Sequence, residues 1–143
     1  MPIHEIEPKE AFEKLQNEEN SVLIDVRCDA EFNFVGQADL SSLNKNAVLL
    51  PWKIFPAMNV NARFQMILEK NLQEKFGEKA HDAQLIFMCR SGARSYEAAS
   101  YMESFGYNNC FNMTGGFEGN LDSAGHRSKI NGWKANNLPW RQL

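Results

Sequence analysis

The sequence predicts a compact α/β domain, and three observations point there. Two short runs, Ser21-Val22-Leu23-Ile24-Asp25-Val26-Arg27 and Gln84-Leu85-Ile86-Phe87-Met88-Cys89, are apolar without polar alternation. Such runs suit strands covered on both faces, as in a parallel sheet. Stretches of helical periodicity lie between and beside them, and strands alternating with helices build α/β domains. The chain has 143 residues, enough for one domain over 1–143 to bury a sizeable core without disulfides.

The elements follow in order. Pro8 to Asn17 has Pro in its first turn and places Ala11, Phe12 and Leu15 on one face, which predicts a helix. The run from Ser21 is the first strand, and Ala47-Val48-Leu49-Leu50 is a weaker one. Asn61 suits the N-cap of a longer helix carrying Phe64, Ile67, Leu68, Leu72 and Phe76, with Gly77 as its stop. The strand ending at Cys89 precedes a helix from Ser95 to Phe105, with Ala98, Tyr101, Met102 and Phe105 on one stripe and Gly106 after it. Cys110-Phe111-Asn112-Met113 is a last weak strand. Residues 115–143 are rich in Gly and Asn, so an irregular segment is expected. Its Trp133, Leu138 and Trp140 need apolar partners, which predicts a cap wrapped over the domain.

Composition excludes several classes. A net charge of -3 with Lys and Arg scattered gives no electrostatic footprint for nucleic acid or an anionic membrane. No apolar run reaches the roughly 18 residues of a membrane span, and Met1-Pro2-Ile3-His4-Glu5 has no signal-peptide character. Three cysteines, at 28, 89 and 110, make no disulfide framework. A reduced, cytoplasmic protein is expected. No C-x-x-C or H-x-x-x-H occurs and the three histidines are far apart, so no metal is expected.

The most informative segment is Cys89-Arg90-Ser91-Gly92-Ala93-Arg94-Ser95. A strand ending at Cys89 puts the thiol at the carboxyl edge of the sheet, where open parallel sheets bind ligands. A helix starting near Arg94 leaves Arg90-Ser91-Gly92-Ala93 to turn the chain, with Gly92 permitting a backbone that a side chain forbids. Such a turn aims backbone N–H groups inward as an anion nest, with the positive end of a helix behind it. Arg90 and Arg94 add full charges. Together these features stabilise negative charge on the sulfur, or on an anion arriving at it. The bland alternative is a buried strand-end thiol between solvated arginines.

The Cys89 loop after a hydrophobic strand resembles the active-site loop of rhodanese-like sulfurtransferases. Leu23-Ile24-Asp25-Val26-Arg27 with Glu31-Phe32 resembles that family's upstream signature. Gly115-Gly116-Phe117, Gly132-Trp133-Lys134 and Leu138-Pro139-Trp140 are similar to the tail of bacterial single-domain members. The resemblance implies a three-layer domain with a mainly parallel central sheet flanked by helices. It implies that Cys89 accepts a sulfane sulfur from a small-molecule or protein donor and passes it to a thiophilic acceptor. Backbone N–H groups of residues 90 to 94 would hold the terminal sulfur, in a monomer or weak homodimer without cofactor. A covalent intermediate of this kind needs an activated thiol rather than a neighbouring base. The chain departs from the family in having Gly36-Gln37-Ala38-Asp39-Leu40 and Leu50-Pro51-Trp52-Lys53 where a Gly-His-Ile-Pro-like segment is common.

Other residues carry weaker signals. Asp25 and Arg27 read first as an ion pair bracing the loop, with steering of an anionic donor by Arg27 as the alternative. Cys28 is a resolving-thiol candidate that nothing in the spacing brings to Cys89, and Cys110 reads as core. Trp52, Phe55 and Trp133 are either a pocket for a bulky acceptor or ordinary packing. His126 is either a charge near the entrance or a solvated loop residue. A phosphatase loop of the form C-x-x-x-x-x-R would need arginine at 95, where this chain has Ser95. The rival outside enzymology is a sulfur carrier or regulatory binding module with little small-molecule turnover.

Overall fold

The apolar runs pair side by side. In the computed structural model, which describes residues 3–143, they form one five-stranded sheet. The elements are β1 (His4–Ile6), α1 (Pro8–Asn17), β2 (Ser21–Asp25), α2 (Asp29–Phe34), β3 (Gln37–Ala38), β4 (Val48–Leu49), β5 (Lys53–Ile54), β6 (Asn59–Val60), α3 (Phe64–Phe76), β7 (Gln84–Met88), α4 (Ala93–Glu103), β8 (Asn109–Met113) and β9 (Trp140–Arg141). The strand order in the large sheet is β1-β8-β7-β2-β4, and each pairing in it is parallel. Two small antiparallel pairs, β3 with β9 and β5 with β6, lie outside it.

Alternation along the strands feeds two cores. Val22, Ile24, Val26, Leu85, Phe87 and Cys89 face α3 and α4, against Leu68, Leu72, Ala98 and Met102. Leu23, Ile86, Met88 and Met113 face the other way, against Ala11 and Leu15 of α1 and Phe117 and Trp133 of the tail. The result is the α/β architecture of three layers with a parallel central sheet. The doubly covered strands explain the absence of polar alternation in their sequence. Among the described residues no helix is long and apolar enough to cross a membrane.

Several boundaries and faces differ from expectation. The strand stops at Met88 and α4 begins at Ala93, so the turn is Cys89-Arg90-Ser91-Gly92, as long as predicted but one residue earlier. Helix α3 starts at Phe64 because Asn61 Oδ1 accepts the Arg63 N–H at 3.0 Å and caps the turn before it. Ile67, predicted on the apolar side, is 42% exposed, since Phe64, Leu68 and Leu72 form a stripe only one residue wide. Tyr101 and Phe105 also border solvent; they meet edge to face, and Tyr101 lies tilted against Trp52. Residues 115–139 contain neither helix nor strand, and the chain then adds β9 alongside β3.

Candidate active site

The register of the sheet assembles the site. Asp25 lies opposite Met88 on neighbouring parallel strands, so the residues after each come out at the same edge. Cys89 is buried there. Its Sγ accepts the backbone N–H of Gly92 at 3.1 Å, the closing contact of the turn. Gly92 has φ of 120°, a conformation that side chains disfavour. Ala93 then opens α4, whose N-terminal end carries partial positive charge behind the sulfur.

Beneath the loop sits a polar residue that no motif marks. Asn112, buried on β8, donates its Nδ2–H to the Gly92 carbonyl at 3.1 Å. That orientation leaves Oδ1 facing the Ser95 hydroxyl at 2.5 Å. Ser95 has one proton, and Asn112 Oδ1 is its shortest acceptor. Ser95 Oγ also lies 3.3 Å from Cys89 Sγ, so Asn112 governs how that hydroxyl meets the sulfur. Asn112 stood only as part of a weak strand in sequence, because its partners lie 17 and 20 residues away.

The tail closes the loop from the other side. Phe117 N–H donates to the Cys89 carbonyl at 2.8 Å, and the N–H groups of Glu118 and Gly119 donate to the Arg90 carbonyl at 3.0 and 3.1 Å. Gly116 makes this approach possible. A Cβ there would stand 2.4 Å from the Cys89 carbonyl oxygen and 2.5 Å from Arg90 backbone atoms.

The charged groups are shared unequally. Arg94 donates two hydrogen bonds to the Glu31 carboxylate, at 2.7 and 3.0 Å. Glu31 Oε1 also accepts the Cys28 N–H at 3.1 Å and its thiol at 3.2 Å. Burial pushes the Glu31 carboxyl up, but hydrogen bonds from Arg94 and Cys28 and the Arg94 charge outweigh it and hold it at about 2. Arg94 is therefore committed, whereas the exposed Arg90 has no side-chain hydrogen bond or ion pair among the described residues.

Asp25 and Arg27 form a second pair, fully buried, with contacts of 2.9 and 2.7 Å. Arg27 also donates to the Gly36 carbonyl and lies over the Phe117 ring. Burial pushes the Asp25 carboxyl up, against the hydrogen bonds and charge of Arg27. Fully buried, this guanidinium presents no surface to an incoming donor, and its Nη1 is without a hydrogen-bond partner among the described residues. It links β2 to the tail instead.

The structure thus brings the stretch from Cys89 to Ser95 together with Asp25 and Arg27 at one edge. Within it Ser91 is half-buried and Ala93 exposed. A cleft of about 620 Å³ opens beside the loop, and Arg90, Arg94, Cys28 and Phe55 are among its walls. Cys28, distant in sequence, thus shares a cleft with the two loop arginines. Trp52 and Trp133 do not join it; they are buried in opposite cores, against Phe64 and Phe12. His126 is exposed and is not among the cleft walls, although its neighbour Arg127 is. Cys110 is core, and burial pushes its thiol up to about 12. Among the described residues no group of His, Cys, Asp and Glu gathers as a metal site.

Comparison with known proteins agrees with this geometry. The crystal structure of Rv0390 from M. tuberculosis superposes with a TM-score of 0.85 at 38% identity, over 100% of both chains. An uncharacterised protein of Rickettsia prowazekii (strain Madrid E) is 38% identical over 99% of each chain. The thiosulfate sulfurtransferase GlpE of Haemophilus influenzae is 29% identical over 83% of this chain and 89% of its own. The sequence model described as "Rhodanese-like domain" matches residues 8–122, and the chain belongs to the rhodanese-like family.

Proposed function

We propose that this chain is a sulfurtransferase that works through a persulfide on Cys89. The observation that carries the reading is the Cys89 sulfur held 3.1 Å from the Gly92 N–H, at the head of α4 and beside Arg90. In the first step the thiolate attacks the outer sulfur of a donor such as thiosulfate. An S–S bond forms at Cys89 while the donor's S–S bond breaks, and sulfite leaves with the electron pair. In the second step a nucleophile such as cyanide attacks the outer sulfur of the persulfide, and the Cys89 thiolate leaves. Neither step requires a metal or organic cofactor. Amide dipoles fixed around the sulfur stabilise negative charge without reorganising during reaction.

The kinship to a thiosulfate sulfurtransferase supports the reaction class. Three unpaired cysteines suit a reducing compartment such as the cytoplasm. The turn supports sulfur over phosphate: with α4 starting at Ala93 it is tight, and Arg94 is engaged by Glu31.

Mass spectrometry after thiosulfate treatment tests the reading. A gain of ~32 Da on Cys89 is expected, absent in Cys89→Ser and released as thiocyanate by cyanide. Loading without release to cyanide or simple thiols would favour a carrier that serves one protein partner. No loading from several donors would sink the persulfide reading.

A further inference from the structure

The polar side chains packed beneath Cys89 form a chain whose direction is fixed. Asn112 is buried on β8, and its Nδ2–H meets the Gly92 carbonyl at 3.1 Å. Turning the amide over would set two acceptor oxygens against each other, so Oδ1 faces Ser95. Ser95 Oγ stands 2.5 Å from that Oδ1, 3.2 Å from the Gly92 carbonyl and 3.3 Å from Cys89 Sγ. A hydroxyl has one proton to give. At 2.5 Å the two oxygens would repel each other without it, so the proton lies between Ser95 and Asn112. Both side chains are buried, and bulk solvent does not compete for it. What Ser95 turns toward the sulfur is then a lone pair. A Cys89 thiol can donate to that lone pair, whereas a thiolate has nothing to donate.

We propose that Asn112 is a positioning residue that withholds the Ser95 proton from the Cys89 sulfur. The resting thiol is held in the order Cys89 S–H to Ser95 O–H to Asn112 Oδ1. Once the Cys89 proton leaves to solvent, the thiolate keeps the Gly92 N–H at 3.1 Å and receives nothing from Ser95. A thiolate with one donor fewer is the stronger nucleophile, because basicity and nucleophilicity of thiolates rise together. The role rests on the Cys89 sulfurtransferase reading and gives that reaction a bias. Loading moves the negative charge from the cysteine sulfur to the outer sulfur, and the uncharged inner sulfur no longer needs a donor. Asn112 thus disfavours the empty thiolate relative to the loaded persulfide.

Alkylation by iodoacetamide over a range of pH, read at the Cys89 peptide by mass spectrometry, tests this without any sulfur donor. Removing a donor from a thiolate ordinarily raises the pH at which alkylation is half-maximal. Ser95→Ala is expected to lower it instead, because the group removed opposes the charge. Asn112→Ala frees the Ser95 proton, and the thiolate, a charged acceptor, takes it ahead of the Gly92 carbonyl. The half-maximal pH is then expected to fall by about one unit, with a lower plateau rate. In the variant carrying both changes, Asn112→Ala is expected to add nothing to Ser95→Ala, whereas a loosened loop would add its effect regardless. The charged neighbours are the same throughout: Arg90, Arg94 with its Glu31 partner, and the buried pair of Asp25 and Arg27. A rise in Ser95→Ala, or an Asn112→Ala shift that persists without Ser95, would overturn the inference. Should Asn112→Ala not fold by circular dichroism, the sign in Ser95→Ala decides alone. Failure of Cys89 to take sulfur from any donor would instead sink the persulfide reading and leave the alkylation result standing.

Discussion

Glu31 couples the two sides of the cleft, since one carboxylate holds the Arg94 guanidinium and the backbone and thiol of Cys28. Its folded value of about 2 lies below its ordinary 4.5. The unfolded chain therefore takes up this proton first as pH falls, and protonation favours unfolding. The stabilisation from this group is fully present above pH 4.5 and is lost as pH falls toward about 2. Urea titrations of Glu31→Gln against the native protein check this. The variant is expected to be less stable at neutral pH, with the gap closing as pH falls below 4.5. A gap that stays constant down to pH 2 would mean that Glu31 acts through packing rather than charge. Asp25 and Arg27 differ in kind. Their pair is wholly buried, where most of the mutual attraction goes to offset desolvation, so it serves to link β2 with the tail more than to stabilise.

Among the elements, those that the sequence announces are the ones whose apolar pattern is long enough to read. The five residues of β2 and of β7, and the ten of α1, fall where periodicity puts them. The missed elements are short. Three residues of β1 gain strand form from parallel pairing with β8, and six of α2 from a cap at Cys28 and Glu31. The hairpin β5–β6, which carries an apolar wall of the cleft, has two residues in each strand. The loop shows the same division. Cys89, Gly92 and the arginines are adjacent in sequence and were legible together. Phe55 was a pocket candidate and does line the cleft, but Asn112, Phe34 and Met58 were not singled out, because register and crossover bring them there.

At the junction of loop and tail, Gly116 supplies the element-scale test. Gly116→Ala places a methyl group into the Cys89 and Arg90 backbone at φ of 62°, whereas Gly125→Ala, at φ of 80°, meets nothing within 4 Å. The second variant should lose only the left-handed backbone cost, about 1–2 kcal/mol. The first should lose more in denaturant melts and also load Cys89 more slowly. Equal losses in the two variants would show that the close approach of tail to loop is not needed.

At the scale of the molecule, the tail contributes buried side chains to the core. Trp133 is fully buried, packs edge-on against Phe12 and donates its Nε1–H to the Pro139 carbonyl at 2.7 Å. Trp133→Ala is expected to cost about 3–5 kcal/mol in chemical denaturation. Limited proteolysis should then cut first within the segment after Gly115, and persulfide loading should fall with it. Loading that survives detachment of the tail would mean that the loop holds its shape unaided. The order of the chain gives this dependence a direction in time. Cys89 leaves the ribosome ahead of the amides of residues 117–119 that fasten its loop and ahead of the strand that pairs with β3. The nascent thiol is thus exposed before its loop is fastened, which requires translation through residues 117–119 and on to β9.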